Sequence, residues 1–259
     1  MTWLREEDRG AVRWLTFDRP DRKNAIPSDG WAELAAAFDR FEWSDRRVLV
    51  ITGAGGDFCA GVDLELSRAG EVPGIVARAS RMKTVAAAAT ALHRITKPTI
   101  AAVDGVAVGA GLNLALGCDV VVATDRARFS EIFVLRGMTI DFGGSWLLPR
   151  IVGLQRAKEM ALSGRIVYAE EAARIGLCLE TVAPDRLEAR ATELAESFLL
   201  GAPVAQMFAK QAIDHAWEVS FEDALDWEGQ SQAICLETED MAEGVTAFLD
   251  KRPPDFTGR

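Results

Sequence analysis

The sequence predicts an α/β core followed by an all-helical C-terminal region, and three observations carry that expectation. Short runs rich in Val and Ile recur at Val12–Phe17, Val48–Thr52, Thr99–Val103 and Asp119–Ala123, with the composition and length of buried strands. Stretches of helical period fill the intervals between them, the alternation typical of α/β proteins. Beyond about residue 184 the strand-like runs stop. Four segments with apolar stripes follow, Asp185–Leu200, Pro203–Trp217, Phe221–Leu236 and Asp240–Leu249, each reading as an amphipathic helix. The expected division is a core over 1–184 and a helical region over 185–259. The alanine-rich stretch Val85–Ala89 reads as helix, since alanine has the best helix propensity.

A chain of 259 residues, 49% apolar and 26% charged, can bury a sizeable core and has the balance of an ordinary globular protein. Its net charge of -10 would repel a phosphate backbone, so nucleic acid is not an expected partner. Any phosphate-bearing ligand must then be held by local basic groups or backbone N–H. Cys59, Cys118, Cys178 and Cys235 show no C-x-x-C spacing, which suggests reduced core thiols and no metal. The N-terminal residues turn acidic at Glu6, Glu7 and Asp8, where a signal peptide would be apolar, and a cytoplasmic protein is expected. No membrane partner is expected either, because every apolar stretch of spanning length is broken by charge.

Two of the strand-like runs lead into glycine-rich loops, the usual ligand positions of α/β folds. The first loop, Gly55–Leu64, contains Asp57-Phe58-Cys59-Ala60-Gly61; small residues there permit close backbone approach to a ligand, or simply a tight turn. The second, Asp104–Leu116, places Gly109-Ala110-Gly111 before a helix start, where free N–H groups suit an anion. A dinucleotide fingerprint is disfavoured, because Leu114 stands where its third glycine should be. In the third segment, Phe129–Arg150, Asp141 is a lone carboxylate among Ile140, Phe142, Gly143 and Trp146. It reads either as a helix N-cap or, buried against apolar walls, as a proton-transfer group of raised pKa. His93 and His215 fall on separate helices with no Ser or Cys motif beside them, which argues against a hydrolytic triad.

In this order, the three segments resemble the crotonase (enoyl-CoA hydratase/isomerase) superfamily. The resemblance runs from Arg19-Pro20-Asp21-Arg22-Lys23-Asn24-Ala25 to Phe248-Leu249-Asp250-Lys251-Arg252-Pro253-Pro254. It implies a crotonase-like spiral of ββα units followed by C-terminal helices serving trimerisation or as a lid. It further implies a homotrimer or dimer of trimers, and acyl-CoA substrates with coenzyme A as part of the substrate and no separate cofactor. Carried over by position, the oxyanion hole falls on the backbone N–H of Val62 and Ala110. Lys23, Ala25, Cys59, Ala60, Gly61, Asp63, Leu64 and Gly109 surround the cofactor and thioester, and Phe248 and Lys251 match positions that reach coenzyme A, often from a neighbouring subunit. Met82, Val85, Phe142 and Trp146 are candidates for the acyl pocket, although Met and aromatics at helical spacing are more often core.

The sequence departs from the hydratase pattern where that pattern matters most. The two hydratase glutamates of the resemblance fall on Asn113 and Phe133, neither of which can exchange a proton as a carboxylate does. Glu131, two residues before Phe133, could compensate only through a shift of register. Asp141, within Gly137-x-x-x-Asp141-x-Gly143, matches the catalytic aspartate of isomerase members, and the segment Asp141–Arg150 looks most like isomerases of phenylacetyl-CoA catabolism. An enoyl-CoA isomerase is the leading expectation. Its rivals are a hydratase using Glu131 or Asp141, and an acyl-CoA-binding subunit that has lost the chemistry.

Overall fold

The computed structural model describes residues 2–64 and 74–259. Its centre is a six-stranded sheet in the order β1-β2-β3-β4-β6-β9. A hairpin of β1 (Leu4–Arg9) and β2 (Val12–Phe17) forms one edge, paired antiparallel through the turn at Gly10. After helix α1 (Trp31–Glu42) the chain enters β3 (Val48–Gly53), and after α2 (Ile75–His93) it enters β4 (Thr99–Val103). Both strands add parallel, with Val12 opposite Val48 and Leu49 opposite Thr99. The expected strands Val12–Phe17 and Thr99–Val103 are therefore present residue for residue.

A second layer grows from the strand ends. β5 (Val106–Val108) leads directly into the short helix α3 (Ala110–Leu116), and the chain returns to the main sheet at β6 (Val120–Thr124). β7 (Arg128–Ser130) pairs with β5 and later with β8 (Val167–Tyr168), forming a three-stranded sheet. Between β7 and β8 lie a 3-10 turn over Ile132–Arg136 and the helices α4 (Gly144–Val152) and α5 (Leu154–Ser163); α6 (Ala169–Arg174) then leads to β9 (Glu180–Val182). Every residue of α3 is buried, which explains the run Ala-Gly-Leu-Asn-Leu-Ala-Leu: a helix apolar all round belongs inside a core.

Two apolar clusters flank the main sheet. One face packs Phe17, Leu49, Ile51, Ala101 and Val103 against Phe38 and Phe41 of α1, Leu92 of α2 and Leu112 of α3. The other packs Trp14, Val48, Val50, Ile100 and Ala102 against Leu187, Ala191 and Ala195 of helix α7 (Leu187–Leu199). Helix α7 thus closes the sheet, although the sequence grouped it with the C-terminal helices. The three that follow are α8 (Pro203–His215), α9 (Phe221–Leu236) and α10 (Glu239–Asp250). Large apolar residues on them stay uncovered in the single chain, with Ile213 70% and Phe248 82% exposed. No helix among the described residues is long and apolar enough to cross a membrane.

Candidate active site

The site is assembled where the two glycine-rich loops meet. Ile26 and Val62 form an isolated parallel bridge, in which Ile26 N–H donates to Gly61 O (2.8 Å) and Asp63 N–H to Ile26 O (2.9 Å). In a parallel ladder the residue between those two bonds points its own N–H to the opposite side, so Val62 N–H faces away from Ile26. On that side stands the start of α3. A Cβ built on Gly61 would lie 3.6 Å from Ala110 N and 3.0 Å from Val108 O, which places the two loop backbones in contact. Ala110 is the first residue of α3, so its N–H is among the first-turn donors that find no carbonyl within the helix. Two backbone donors, Val62 N–H and Ala110 N–H, therefore border one small space.

Glycine makes this approach possible. A Cβ on Gly111 would sit 2.3 Å from the carbonyl oxygen of Cys59, closer than any side chain permits. The first loop is held from behind by Asn24, whose side-chain N–H groups donate to Ala54 O (2.8 Å) and Asp57 O (2.6 Å). Lys23 O accepts from Ala60 N–H (3.0 Å), and Asp57 Oδ1 accepts from Val106 N–H (2.9 Å), tying Lys23, Ala60 and β5 into one frame. Asp63 is buried and paired with Arg19 at 2.9 Å, so its carboxylate holds the loop. Cys59 is buried, and burial pushes its thiol up to about 12, which makes it an unreactive wall. Ala25 is buried while Leu64 is exposed beside the loop.

The carboxylate side is built from α3 and the loop before α4. Asn113, fully buried in α3, donates through Nδ2 to the backbone oxygen of Asp141 (2.9 Å). Gly144 permits that clamp, since a Cβ there would fall 2.3 Å from the Asn113 amide. The next two residues after Asp141 have positive φ, 50° at Phe142 and 81° at Gly143. A bulky residue in that region is strained. The Phe142 ring is buried and packs on Trp31 at 5.7 Å, which secures the turn. Helix α4 then starts at Gly144 with Gly143 as its cap and no side-chain capping bond. The N-cap reading of Asp141 is thereby removed. Its Oδ1 is buried without a hydrogen-bond partner, and burial raises the carboxyl to about 6.

Glu131 also belongs here, and without any shift of register. It is 1% exposed, and its Oε2 lies 3.5 Å from Asn113 Nδ2. Burial raises it to about 8, opposed by the Asn113 contact and reinforced by the nearby Asp141 charge. Phe133 is buried with its ring edge against Gly109, 3.5 Å from where a Cβ would be. Trp146 of α4 stacks edge-on with His93 (5.3 Å) and carries the Arg150 guanidinium 3.8 Å from its ring centre. Phe142, Trp146 and His93 line one cavity with Ala89, Thr90, Leu92 and Leu147. Met82 is exposed on α2 and Val85 buried beneath it. Phe248 lines a separate groove among α8, α9 and α10, apart from the loops and Asp141, and Lys251 caps α10 in a left-handed turn.

Two backbone N–H groups thus border one small space, and an unpaired, half-buried carboxylate stands on the loop that Asn113 ties to α3, an arrangement suited to acid/base chemistry on a carbonyl compound. Comparison with known proteins gives the family. Residues 7–259 match the profile described as enoyl-CoA hydratase/isomerase, and the chain belongs to that family. It is 38% identical over 252 residues to the 1,2-epoxyphenylacetyl-CoA isomerase of Escherichia coli, covering 96% of this chain and 95% of the relative. It is 36% identical over 250 residues to the short-chain-enoyl-CoA hydratase of Clostridium acetobutylicum, covering 95% and 94%. A solved enoyl-CoA hydratase from Bacillus anthracis superposes with a TM-score of 0.94 at 30% identity over 100% of both chains, so the fold is the crotonase fold. The chain is thus an enzyme of enoyl-CoA hydratase/isomerase type acting in coenzyme A thioester metabolism.

Proposed function

We propose that the chain isomerises an unsaturated acyl-CoA, with Asp141 as the proton-transfer group. The observation that carries this reading is the unpaired Asp141 carboxyl, held beside the oxyanion loops and raised to about 6. At neutral pH it is mostly ionised yet basic enough to accept a proton from carbon made acidic by a thioester. Taking a 3-enoyl-CoA, Asp141 removes a proton from C2 and the C–H electron pair flows into a dienolate. The charge comes to rest on the thioester oxygen facing Val62 N–H and Ala110 N–H, donors worth on the order of a few kcal/mol each in such a role. Asp141 then returns the proton to C4, leaving a C2–C3 double bond. Coenzyme A is carried as part of the substrate, with Lys23 and the backbone of Asp57–Gly61 as its contacts and Phe248 and Lys251 reaching it from another subunit. The uncovered apolar residues of α8–α10 support assembly as a trimer or a dimer of trimers.

Asn113 and Phe133 stand where the resemblance puts hydratase glutamates, which favours a proton shift over water addition. The rival reading, hydration, is favoured by one observation: Glu131 is a second buried carboxyl, in contact with the same Asn113 amide that holds the Asp141 backbone. Incubation with 3-enoyl-CoA and 2-enoyl-CoA separates the two. Migration of the double bond without gain of water is expected, whereas steady formation of 3-hydroxyacyl-CoA would overturn the isomerase assignment. Binding of acyl-CoA with neither product would point to a non-catalytic subunit.

A further inference from the structure

Among the described residues three carboxylates are exposed over no more than about a twentieth of their surface: Asp63 at 5%, Asp240 at 2% and Glu131 at 1%. The first two are compensated. Asp63 pairs with Arg19 at 2.9 Å, and Asp240 accepts N–H bonds from Thr257 (2.7 Å) and Gly258 (2.8 Å). Glu131 has no such support: its Oε1 is buried without any hydrogen bond, and Oε2 has only the long contact to Asn113. Burying an ionised carboxylate without a partner costs far more than burying the neutral acid. The same amide that touches Glu131 holds the Asp141 loop by its backbone oxygen. The Glu131 backbone is fixed as well, since Ser130 O accepts from Gly109 N–H (2.9 Å), directly before the oxyanion residue Ala110.

We propose that Glu131 is a positioning residue that serves the site as a neutral carboxylic acid packed against Asn113, so that Asp141 is the one ionised member of this carboxyl pair. This deepens the proton-transfer reading of Asp141 and rests on it. Ionisation of Glu131 puts a second negative charge beside a pocket where negative charge must develop on the thioester oxygen, and turnover falls.

The groups that face Glu131 bear this out. From α3 comes the Asn113 amide, and from the loop before α4 comes Asp141. The two strands paired with β7, which ends one residue before Glu131, bring Val106, Ala107 and Val108 from β5 and Val167 and the exposed Tyr168 from β8. Among the described residues no basic side chain forms an ion pair with Glu131: Arg136 bonds Leu135 O, Arg150 lies on Trp146, and Arg165 pairs with Glu159 and Glu171. Burial raises Glu131 to about 8 and Asp141 to about 6, so the working form, Asp141 ionised with Glu131 neutral, is most populated between those values.

The test is the pH dependence of kcat/KM for isomerisation of a 3-enoyl-CoA by wild type, Glu131→Gln, Glu131→Asp and Asp141→Asn. Wild type is expected to show an acid and an alkaline limb. Glu131→Gln should lose roughly tenfold or less at neutral pH, where direct loss of a proton-transfer group costs about a hundredfold or more. It should keep the acid limb and lack the alkaline one, which Glu131→Asp should restore. A wild-type profile flat to high pH, or the same alkaline limb in Glu131→Gln, overturns the proposal. So does loss of about a hundredfold or more by Glu131→Gln at every pH with acyl-CoA binding intact, because Glu131 would then itself transfer the proton. Full activity in Asp141→Asn defeats the Asp141 reading whatever Glu131 does. If Glu131→Gln fails to fold, infrared spectra of wild type decide: a protonated-carboxyl band present at neutral pH and lost on alkaline titration supports the proposal, and its absence at neutral pH refutes it.

Discussion

The two halves of the site are made of different material. One half is backbone: Val62 N–H and Ala110 N–H, the proposed oxyanion donors, brought together because Gly61 and Gly111 have no side chain to keep the loops apart. The carboxylate half is side chain: Asp141, Asn113 and Glu131, each with a buried oxygen that no hydrogen bond satisfies. Native cores seldom leave such atoms unpaired. Under the proposed proton shift, the contrast assigns charge stabilisation to the backbone half and the choice of which proton moves to the side-chain half. Substitutions in the first should damage every activity together, and those in the second should redirect or abolish one step.

Replacing the working carboxylate breaks the second half most sharply. Asp141→Asn keeps the shape of the loop and should lower kcat about 10²–10⁴-fold with little change in acyl-CoA affinity. Thermal melting should not fall, since a buried charge without a partner is removed. Gly111→Ala attacks the first half, because its Cβ would meet the Cys59 carbonyl oxygen at 2.3 Å and backbone cannot yield cheaply. The expected loss is about 1–3 kcal/mol or more, read as a melting point lower by several degrees together with weakened turnover of any acyl-CoA.

Proton linkage gives an intermediate effect. Asp141 and Glu131 both have folded values above their ordinary ones, about 6 and about 8. For acids shifted upward, the native state holds protons that the unfolded chain releases. The stabilisation is therefore full below the ordinary carboxylate range and is lost as pH rises through about 6 and then about 8. Denaturant titrations should show wild type losing stability progressively from mildly acidic to mildly alkaline pH, by a few kcal/mol in all and about 1.4 kcal/mol of it above neutral pH, and Glu131→Gln losing less. The smallest effect is expected at the rim. Lys23 is exposed while its carbonyl anchors Ala60, so Lys23→Ala should raise KM only a few-fold and leave kcat alone.

Legibility in the sequence follows burial. β2 and β4 were readable because both are fully formed apolar runs, and α9 because its stripe is long and capped by Ser220. β1, Leu-Arg-Glu-Glu-Asp-Arg, was missed: it is an edge strand with only Leu4 buried, so charge hides the strand pattern. β5, β7 and β8 span two or three residues each, too short for a period to register. At the site, the two loops and Asp141 stood out by their glycines and their lone carboxylate. Glu131 is legible only as the carboxylate beside the mismatched Phe133, and its burial against Asn113 is not. A signal was present: an acidic residue between Phe129-Ser130 and Ile132-Phe133 interrupts an otherwise buried run, as Asn113 interrupts an apolar helix. Whether a polar residue in such a run is satisfied depends on partners distant in sequence, here Asn113 and Asp141, which no local pattern reveals.

The most direct test of proton transfer by Asp141 is to follow exchange of substrate carbon-bound hydrogen for deuterium in deuterated buffer, comparing wild type with Asp141→Asn by mass spectrometry and NMR. Wild type is expected to exchange or migrate hydrogen at C2 and C4 of a 3-enoyl-CoA, and Asp141→Asn to bind the same thioester with exchange reduced about a hundredfold or more. Equal exchange by the two proteins would contradict the assignment of Asp141 as the group that moves the proton.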